Sequence, residues 1–439
     1  MSRRPGSFDR VVLVAAYAVV LLAPIALIAG VVKAGPRGPL VVFADALGFA
    51  ALSLLALQVA VSGRSSTTTR AFGLRPVLAL HRQAGVAVLV LVVIHVVALL
   101  ADDPSRLALF DLATAPGRAR AGVLALVGLM ALPLLTVWRA RMRVSYEGWR
   151  GLHLALTSVV VGAAFAHVMW VHAYTSAPVV RWSVVALVLA TAAALFWIRV
   201  AKPYVTAVRP YRVLAVRRER GDAVTVELAA DGHDGLRFEP GQFARLRAAA
   251  CLYGLDDHPF TLSSSPRHPE RPAFTVKALG DFSASLADLG AGTRVLVDGP
   301  HGEGVHTPAG GGLLLVAAGI GITPALSVLR AAAERNDPRP LVLLYGSRRW
   351  ADITFREELE LLEHLVRRLR VVHVLSRAEP GWRGECGRIG PAVLRRHAPP
   401  DLARWNALLC GPPAMVAESE LTLQRLGMRR AAIQAEGLG

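Results

Sequence analysis

Two apolar stretches of this sequence each carry a pair of histidines with the same spacing. The first stretch holds His81 and His95, which are 14 residues apart, and the second holds His153 and His167, again 14 apart. A helix turns by about 100° and rises by about 1.5 Å per residue, so each pair lies within roughly 40° of one face and about 21 Å apart along the axis. Imidazole is a common axial ligand of haem iron. Two such helices side by side therefore predict a transmembrane column of two bis-histidine haems.

The alternative is that each histidine is an ordinary polar residue bonded across a helix bundle. Ionisable residues inside membranes are uncommon and usually functional. The equal spacing of the two pairs favours iron ligation.

Six apolar runs are long enough to cross a bilayer, which requires about 20 residues. The first run follows the basic sequence MSRR but is too long for a typical signal-peptide core. The sequence thus predicts a multidomain membrane protein that begins with a six-helix transmembrane bundle. The predicted spans are residues 11–32, 40–61, 77–101, 121–138, 151–171 and 179–200.

Most of the net charge of +17 belongs to the membrane half of the chain. Up to Val205 there are 19 Lys and Arg against 6 Asp and Glu, whereas the remainder has 30 against 26. Basic loops beside apolar helices orient a protein and contact anionic lipid, so membrane lipid and not nucleic acid is the expected partner. No protein partner is indicated.

The basic loop residues also predict an orientation. One side of the membrane has 13 of them and the other has 6, which places both termini in the cytoplasm of a multi-pass plasma-membrane protein. The third and fifth helices then run in the same direction. The inner ligand pair is His81 with His153, and the outer pair is His95 with His167.

The histidine segments resemble a known family. LHRQAGVAVLVLVVIH and YEGWRGLHLALTSVVVGAAFAH are similar to the third and fifth helices of the ferric reductase-like transmembrane domain, shared by ferric-chelate reductases and NADPH oxidases. The resemblance implies two b-type haems. Gly85 and Gly162 are candidates for making room beside a porphyrin, although glycine in membrane helices more often serves helix packing.

Cysteine usage gives a further indication. Cys251, Cys386 and Cys410 are scattered through the second half without a CxxC pair. They indicate a reducing compartment without a disulfide framework, and they are too few to ligate an iron–sulfur cluster alone.

After Lys202 the sequence changes to short β-rich runs such as YRVLAV and AVTVELAA, which predict a small antiparallel barrel. The segment HPFTLSSSP then resembles the flavin-binding strand of the ferredoxin-NADP reductase superfamily in its oxidase-like variant; the family commonly has Arg where this chain has His258. The resemblance places His258 near the FAD phosphates, Phe260 against the isoalloxazine and Thr261 near the flavin nitrogen that accepts hydride. The alternative is a barrel strand with a proline at its edge. The other predicted flavin contacts of this segment are Pro259, Leu262 and Ser263.

A second flavin element follows in VKALGDFSASLADLG. There Gly280 and Ser283 are predicted to present backbone amides and a hydroxyl to pyrophosphate at a helix N-terminus, where the helix dipole favours an anion. Residues 297–304, VDGPHGEG, are predicted to form the turn that leaves the barrel.

The last third of the chain alternates strand and helix, as a Rossmann-like α/β domain does. GLLLVAAGIGITPALSVLRAAA gives a buried strand, a glycine turn and a helix. Gly319 and Gly321 permit close approach of the backbone to pyrophosphate, and Thr323 and Pro324 lie near the helix start. The GxGxTP form behind HPFT resembles the nicotinamide-nucleotide signature of the reductase family.

The next strand, LVLLYGSRR, ends in Ser347, Arg348 and Arg349. An NAD site usually has an acid there for the ribose, whereas a hydroxyl and two guanidinium groups suit a 2′-phosphate. NADPH is therefore expected in preference to NADH. The alternative is two solvated arginines at a strand end.

WNALLCGPPAMV supplies a later strand and turn. By resemblance Cys410, Gly411 and Pro412 lie beside the nicotinamide, so Cys410 and Thr261 flank the predicted hydride transfer; Cys410 is also the small apolar residue that a buried strand end favours. The tail departs from the family, since Glu436 is followed only by Gly, Leu and Gly and not by an aromatic that covers the flavin.

Together these features imply three domains: residues 1–204 as the haem bundle, 205–308 as the FAD barrel and 309–439 as the NADPH domain. The resemblance implies that NADPH reduces FAD in the cytoplasm, that electrons cross by the inner and outer haems, and that an acceptor outside is reduced. That acceptor is a ferric chelate or dioxygen, or another redox partner such as quinone or a periplasmic protein. His172 and Tyr174 lie near the outer end, although His172 is about 140° from His167 on the helix. The alternative is a six-helix transporter or sensor with a regulatory flavin domain and no haem.

Overall fold

The computed structural model of the chain describes residues 7–31, 38–61, 66–139, 141–172, 174–248, 257–305 and 311–437. The chain divides into two compact units, Met1–Tyr204 and Val205–Gly439. Several predicted features lie outside the described residues. They are the end of the first span at Val32, the thiol of Cys251, and the last two tail residues, Leu438 and Gly439.

The first unit is helical. Its long runs of Leu, Val and Ala offer no polar side chains, and an α-helix satisfies the backbone N–H and C=O groups within one segment. Its helices are α1 (Ser7–Val31), α2 (Pro39–Ala60), α3 (Ser66–Phe72), α4 (Leu74–Asp102), α5 (Gly117–Trp138), α6 (Tyr146–Val171), α7 (Pro178–Phe196) and α8 (Lys202–Ala207). A 3₁₀ helix, Pro104–Phe110, joins α4 to α5, and a π-helical turn, Trp197–Ala201, joins α7 to α8.

Among the described residues, five helical segments are long and apolar enough to cross a membrane. They are Pro39–Val59, Pro76–Asp102, Gly117–Trp138, Tyr146–Val171 and Pro178–Ala207. The first predicted span is helical in α1, but its described apolar part is the shorter stretch Val11–Leu22. The predicted count of six crossings therefore stays a prediction.

In this bundle α2 packs on α4, and α5 packs on α6. Phe49, Val88, Leu129 and Val160 belong to one buried apolar cluster between these helices. Large apolar side chains also cover the outer faces; Val97, for example, is 58% exposed. Such faces suit hydrocarbon better than water, in agreement with a multi-pass membrane unit.

The second unit begins with an antiparallel sheet that is almost closed into a barrel. Its strands are β1 (Tyr211–Glu219), β2 (Ala223–Ala230), β3 (Phe243–Ala248), β4 (His258–Thr261), β5 (Ala273–Lys277) and β6 (Arg294–His301). Their order is β4-β3-β6-β1-β2-β5, and a bridge between Leu262 and Phe274 links the two outer ends. A short helix, α9 (Asp281–Ser285), follows β5. The predicted exit turn at 297–304 begins too early, because its first five residues belong to β6.

The rest of the unit is a parallel sheet with helices on both faces. Its elements are β7 (Leu313–Ala318), α10 (Ile322–Glu334), β8 (Leu341–Ser347), α11 (Arg356–Leu365), β9 (Leu369–Leu375), β10 (Glu385–Cys386), α12 (Pro391–His397), β11 (Asn406–Gly411), α13 (Pro413–Arg425) and β12 (Ile433–Gly437). The strand order is β10-β9-β8-β7-β11-β12. The chain order reverses at β7, and ligands of such sheets bind at the carboxyl ends of the strands beside that point.

Candidate functional site

His95 from α4 and His167 from α6 line one cavity inside the helical bundle. The Nδ1 atom of His95 lies 2.7 Å from the carbonyl oxygen of Ala44 on α2. In the same way, Nδ1 of His167 lies 2.7 Å from the carbonyl oxygen of Arg118 on α5. Each imidazole is thus held by a helix other than its own.

These two contacts fix the tautomer of the imidazoles. A carbonyl oxygen only accepts hydrogen bonds, so Nδ1 must be the donor, and in the neutral ring the lone pair then lies on Nε2. Metal-ligating histidines commonly donate their other ring N–H to a carbonyl in this manner. Both rings are therefore prepared to ligate a metal through Nε2.

The cavity that both rings line has a volume of about 210 Å³ and is partly open. Most of its lining is aliphatic, and the lining also includes Asp45 and Arg106. The guanidinium of Arg106 donates to the carbonyl of Leu99 at 2.8 Å and pairs with Asp102 at 2.8 Å. A mostly aliphatic lining with one arginine is compatible with a large apolar ligand that carries an anionic group.

Of the two polar residues predicted near the acceptor, only Tyr174 lines this cavity. Its side chain is 6% exposed, and its ring meets that of Phe49 edge-on at 5.8 Å. His172 is exposed and ends α6 in the left-handed conformation, with φ of 57°. His172 is therefore a helix-terminating residue outside the cavity.

The other two predicted ligands lie at the opposite ends of α4 and α6. His153 is within electrostatic reach of His81 and of Arg199, and its ring lies 5.4 Å from that of Trp149. Among the described residues, Nδ1 of His81, Nδ1 of His153 and Nε1 of Trp149 are buried without a hydrogen-bond partner. Burying such groups unpaired is costly, so this cluster fits a polar ligand.

Each site has two imidazoles, one on α4 and one on α6, which is the ligand set that a bis-imidazole haem requires. An arginine is close to each site. At the second site the indole N–H of Trp149 can donate to a carboxylate oxygen. The assignment of these histidines as iron ligands remains a prediction.

In the barrel, the predicted flavin strand HPFT forms β4. His258 and Phe260 are partly buried, Pro259 is exposed, and Thr261 ends the strand opposite Phe243 of β3. The ring of His258 stacks on Phe282 of α9, with centroids 4.2 Å apart and planes 23° apart. Phe282 was not predicted as a site residue, although it stands two positions after Gly280.

Leu262 and Ser263, also predicted to contact the flavin, are fully buried, and Leu262 belongs to the barrel core. Both are 0% exposed, and the Ser263 hydroxyl donates to the carbonyl of Ala273 while accepting from Thr275. The chain turns inward after β4, so these two residues support the strand and do not line the site.

In the second flavin element the hydroxyl of Ser283 closes the turn on itself. It accepts from the backbone N–H groups of Leu279 and Gly280 at 2.9 and 3.0 Å and donates to the Gly280 carbonyl. Gly280 is exposed, and a Cβ placed on it would meet no described atom within 4 Å. Open backbone at this turn is compatible with close approach of a phosphate, while the hydroxyl of Ser283 has a structural role.

The glycine turn of the α/β domain lies at the carboxyl ends of β7 and β11. A Cβ placed on Gly321 would lie 2.3 Å from the carbonyl oxygen of Cys410, so only glycine allows these segments to meet. Gly319 is exposed with φ of 55°, and nothing described lies within 4 Å of its Cβ position. Thr323 donates to the carbonyl of Ile320 at 3.1 Å.

Two predicted nucleotide contacts, Thr323 and Pro324, are buried at the start of α10, where they stabilise the glycine turn. Cys410 is 2% exposed at the end of β11, and a Cβ on Gly411 would lie 2.7 Å from Cε of Met415. Pro412 is exposed. The structure brings the GxG turn and the CGP segment together, as a nicotinamide site requires, but it places little of the Cys410 side chain at the surface.

Ser347 ends β8, and Arg348 and Arg349 follow with exposed side chains. The backbone N–H of Arg377 donates to the carbonyl of Arg348 at 2.8 Å. Arg377 is exposed too, so a third guanidinium belongs to the carboxyl ends of these strands. It could have been predicted from its position just after β9, the strand that pairs with β8.

The barrel and the α/β domain are joined close to the flavin strand by Arg330 of α10, which sequence reasoning missed. Its guanidinium forms a two-point ion pair with Glu358 at 2.6 and 2.8 Å and donates to the carbonyl of Ser263 at 2.8 Å. Arg330 thereby holds the residue that follows β4. Exposed charged pairs contribute little, but two-point pairs in a network contribute more.

Two family models match this chain. Residues 47–164 match the ferric reductase like transmembrane component, and residues 315–420 match the oxidoreductase NAD-binding domain. The chain therefore combines a ferric reductase-like transmembrane domain with an NAD-binding oxidoreductase domain.

Known relatives match the second of these domains and its surroundings. NADH-cytochrome b5 reductase 1 of Aspergillus terreus is 32% identical over 35% of this chain and 54% of its own length. The ferredoxin–NAD(P)(+) reductase component of the naphthalene 1,2-dioxygenase/salicylate 5-hydroxylase systems of Ralstonia sp. is 31% identical over 46% of this chain and 60% of its own length. The chain spans about half the length of the first curated relatives that it matches. An Amycolatopsis cytochrome P450 reductase is 25% identical, with a TM-score of 0.46 over 52% of this chain and 69% of that structure.

Proposed function

We propose that this chain is a transmembrane flavocytochrome that transfers electrons from cytoplasmic NADPH to an acceptor outside, either a ferric chelate or dioxygen. The observation that carries the proposal is the pair of imidazoles, His95 and His167, that share a cavity with Nε2 available to a metal. The ferric reductase-like match over residues 47–164 supports it, because that segment contains three of the four histidines: His81, His95 and His153. In this proposal FAD accepts hydride from NADPH and two b-type haems conduct single electrons.

Within the bundle the chain holds each haem by two imidazoles. His81 and His153 would bind the inner one, and Trp149 and Arg199 are the donors near that pair. His95 and His167 would bind the outer one, and Arg106 lines the same cavity. The aliphatic lining of the cavity excludes water and lowers the local dielectric, and both factors set a redox potential.

In the second unit, the partly exposed Phe260 and Thr261 present β4 to the flavin ring, and His258 lies toward its phosphates. The Gly319–Gly321 turn receives the nucleotide pyrophosphate at the start of α10. That turn contacts β5 of the barrel as well as β7 and β11, so the nucleotide is held next to the flavin domain. Hydride transfer needs this juxtaposition and no side-chain base.

NADPH is proposed in preference to NADH because Arg348, Arg349 and Arg377 form a cationic edge at the ends of β8 and β9. The names of the curated relatives include both nucleotides: NADH-cytochrome b5 reductase and a nitrate reductase [NADPH]. The membrane is proposed to be the plasma membrane, with both termini and the second unit in the cytoplasm, because the basic loop residues gather on that side.

The proposal is tested on purified full-length protein in detergent. A pyridine haemochrome assay is expected to give two b-type haems per chain, and anaerobic NADPH is expected to reduce them as dithionite does. Superoxide dismutase separates the acceptors, because it suppresses cytochrome c reduction by superoxide and leaves ferric-chelate reduction unchanged. A protein without haem would overturn the proposal in favour of the transporter or sensor alternative.

A further inference from the structure

The imidazole of His95 lies against Gly48 of α2. Its Nδ1 donates to the carbonyl of Ala44, and Gly48 stands one helical turn after that carbonyl. A Cβ placed on Gly48 would lie 3.2 Å from Nδ1 and 3.3 Å from Cε1 of the ring. The ring reaches the carbonyl only by passing over a position that has no side chain.

The second imidazole of this cavity repeats the arrangement on a different helix. Nδ1 of His167 donates to the carbonyl of Arg118, and Gly122 of α5 stands one turn after it. A Cβ on Gly122 would lie 2.8 Å from Nδ1 and 3.0 Å from Cε1 of His167. This contact is tighter than that at Gly48, because atoms in real proteins hardly ever approach a Cβ within 3.0 Å.

The same geometry occurs a third time with an amide in place of an imidazole. Nε2 of Gln58 donates to the backbone carbonyl of His81 at 2.8 Å, and a Cβ on Gly85, one turn later, would lie 3.1 Å from that nitrogen. Gly85 therefore receives Gln58, and the predicted role beside a porphyrin is not what its contact shows. A Cβ on Gly162 would meet no described atom within 4 Å.

The recurrence has a physical reason. A helix carbonyl has two lone pairs, and its bond to the N–H one turn later uses only one of them. A donor from a neighbouring helix can take the second lone pair if it approaches along the surface above that later residue. A Cβ there would crowd the donor, so glycine one turn after the accepting carbonyl favours the approach.

We propose that Gly48 and Gly122 are positioning residues that fix the ring planes of His95 and His167 for ligation of one haem. This rests on the proposed function, since it concerns how the bundle orients two of its proposed iron ligands. Each glycine lets an imidazole donate Nδ1–H to a carbonyl and so directs Nε2 into the cavity. The angle between the two ring planes is then set by α2 and α5.

Alanine at either position is expected to displace the ring, with the larger effect at Gly122 because its contact is closer. The matched control is Gly128→Ala, on the same helix as Gly122. A Cβ there would lie 2.6 Å from Cγ2 of Val160, a tighter contact than either of the others, but it touches no imidazole. If these substitutions acted only by disrupting helix packing, Gly128→Ala should therefore have an effect at least as large as Gly48→Ala and Gly122→Ala.

The experiment compares the full-length protein with G48A, G122A and G128A after purification with haem. Low-spin bis-imidazole ferric haem gives EPR g-values that depend on the angle between the ring planes. We expect G122A to shift or remove one of the two haem signals and G48A to shift that same signal less. G128A should keep the g-values of both signals, because Val160 lines the cavity but does not set a ring plane. Redox titration provides a second readout, in which the midpoint potential of that haem changes in G122A and changes less in G48A.

Two results would overturn the inference while leaving the proposed function intact: both glycine variants keep wild-type EPR signals and potentials, or G128A reproduces their changes. If G122A does not fold, G48A alone decides, since its contact requires only a small displacement. A wild-type protein without bis-imidazole signals would instead refute the proposed function and this inference with it.

Discussion

The nucleotide preference can be tested most directly by the double variant Arg348→Ala/Arg349→Ala. Both guanidinium groups are exposed just after β8, at the edge of the sheet where the nucleotide ribose is expected. The main chain of Arg377 is bonded to that of Arg348, so one cation remains nearby in the variant.

The expected size of the effect follows from the contact chemistry. A hydrogen bond between arginine and a phosphate is charge-assisted and contributes roughly 1.5 to 3 kcal/mol. If one such bond to the 2′-phosphate is made in the wild type, NADPH should exceed NADH by about 10- to 150-fold in kcat/KM. The double variant should lose most of that ratio through weaker use of NADPH, with NADH almost unchanged.

The assay is stopped-flow reduction of the flavin by each nucleotide, and the control is Arg367→Ala/Arg368→Ala. These two arginines are also exposed and adjacent in sequence, but they precede β9 and so lie at the amino ends of the strands, opposite the expected nucleotide site. Both variants lose two positive charges, so general steering of an anion changes equally. Equal use of NADH and NADPH by the wild type, or the same loss in both variants, would refute the assignment.

Three further variants test other parts of the structure. His95→Leu, which keeps a similar apolar volume, should remove one haem. NADPH should still reduce the flavin and the other haem, but reduction of an acceptor confined to the outside should be abolished. Retained outward activity would show that the ligand pairing or the orientation is wrong. Arg330→Met should lower the free energy of unfolding by about 1 to 3 kcal/mol, measured by thermal denaturation, because a two-point ion pair and a bond to the flavin strand are lost. Gly221→Ala should be more destabilising than Gly232→Ala, since both have φ above 70° but only the Cβ at Gly221 meets a carbonyl oxygen, that of Asp352 at 2.5 Å; equal melting temperatures would contradict this.

Sequence patterns predicted the element types well where the signal is local. Apolar runs predicted α2, α4, α5, α6 and α7, and the short β-rich runs predicted the barrel strands β1 to β4. The HPFT segment was correctly placed on a strand. Its last two predicted contacts, Leu262 and Ser263, failed because a motif match does not show where the chain turns inward after the strand.

Contacts between distant parts of the chain could not be found in this way. The carbonyls that accept from the two imidazoles are 51 residues from His95 and 49 residues from His167 in sequence. Glycines are common in membrane helices, and only the pairing of helices shows which one faces an imidazole. Gly85 and Gly162, the predicted candidates for room beside a porphyrin, lie on α4 and α6 with the histidines, whereas the glycines in contact with the imidazoles lie on α2 and α5.

The two histidine pairs differ in a way that predicts different midpoint potentials for the two proposed haems. His95 and His167 each donate Nδ1–H to a carbonyl, whereas Nδ1 of His81 and of His153 has no partner among the described residues. Donation from Nδ1 increases electron density at Nε2 and stabilises ferric iron relative to ferrous iron. Iron at His95 and His167 should therefore have the lower midpoint potential of the two. Transfer from the inner to the outer iron is then energetically uphill, and outward flow depends on removal of electrons at the acceptor. Redox titration of His95→Leu should lack the lower-potential component; loss of the higher one would contradict the role assigned to the two carbonyls.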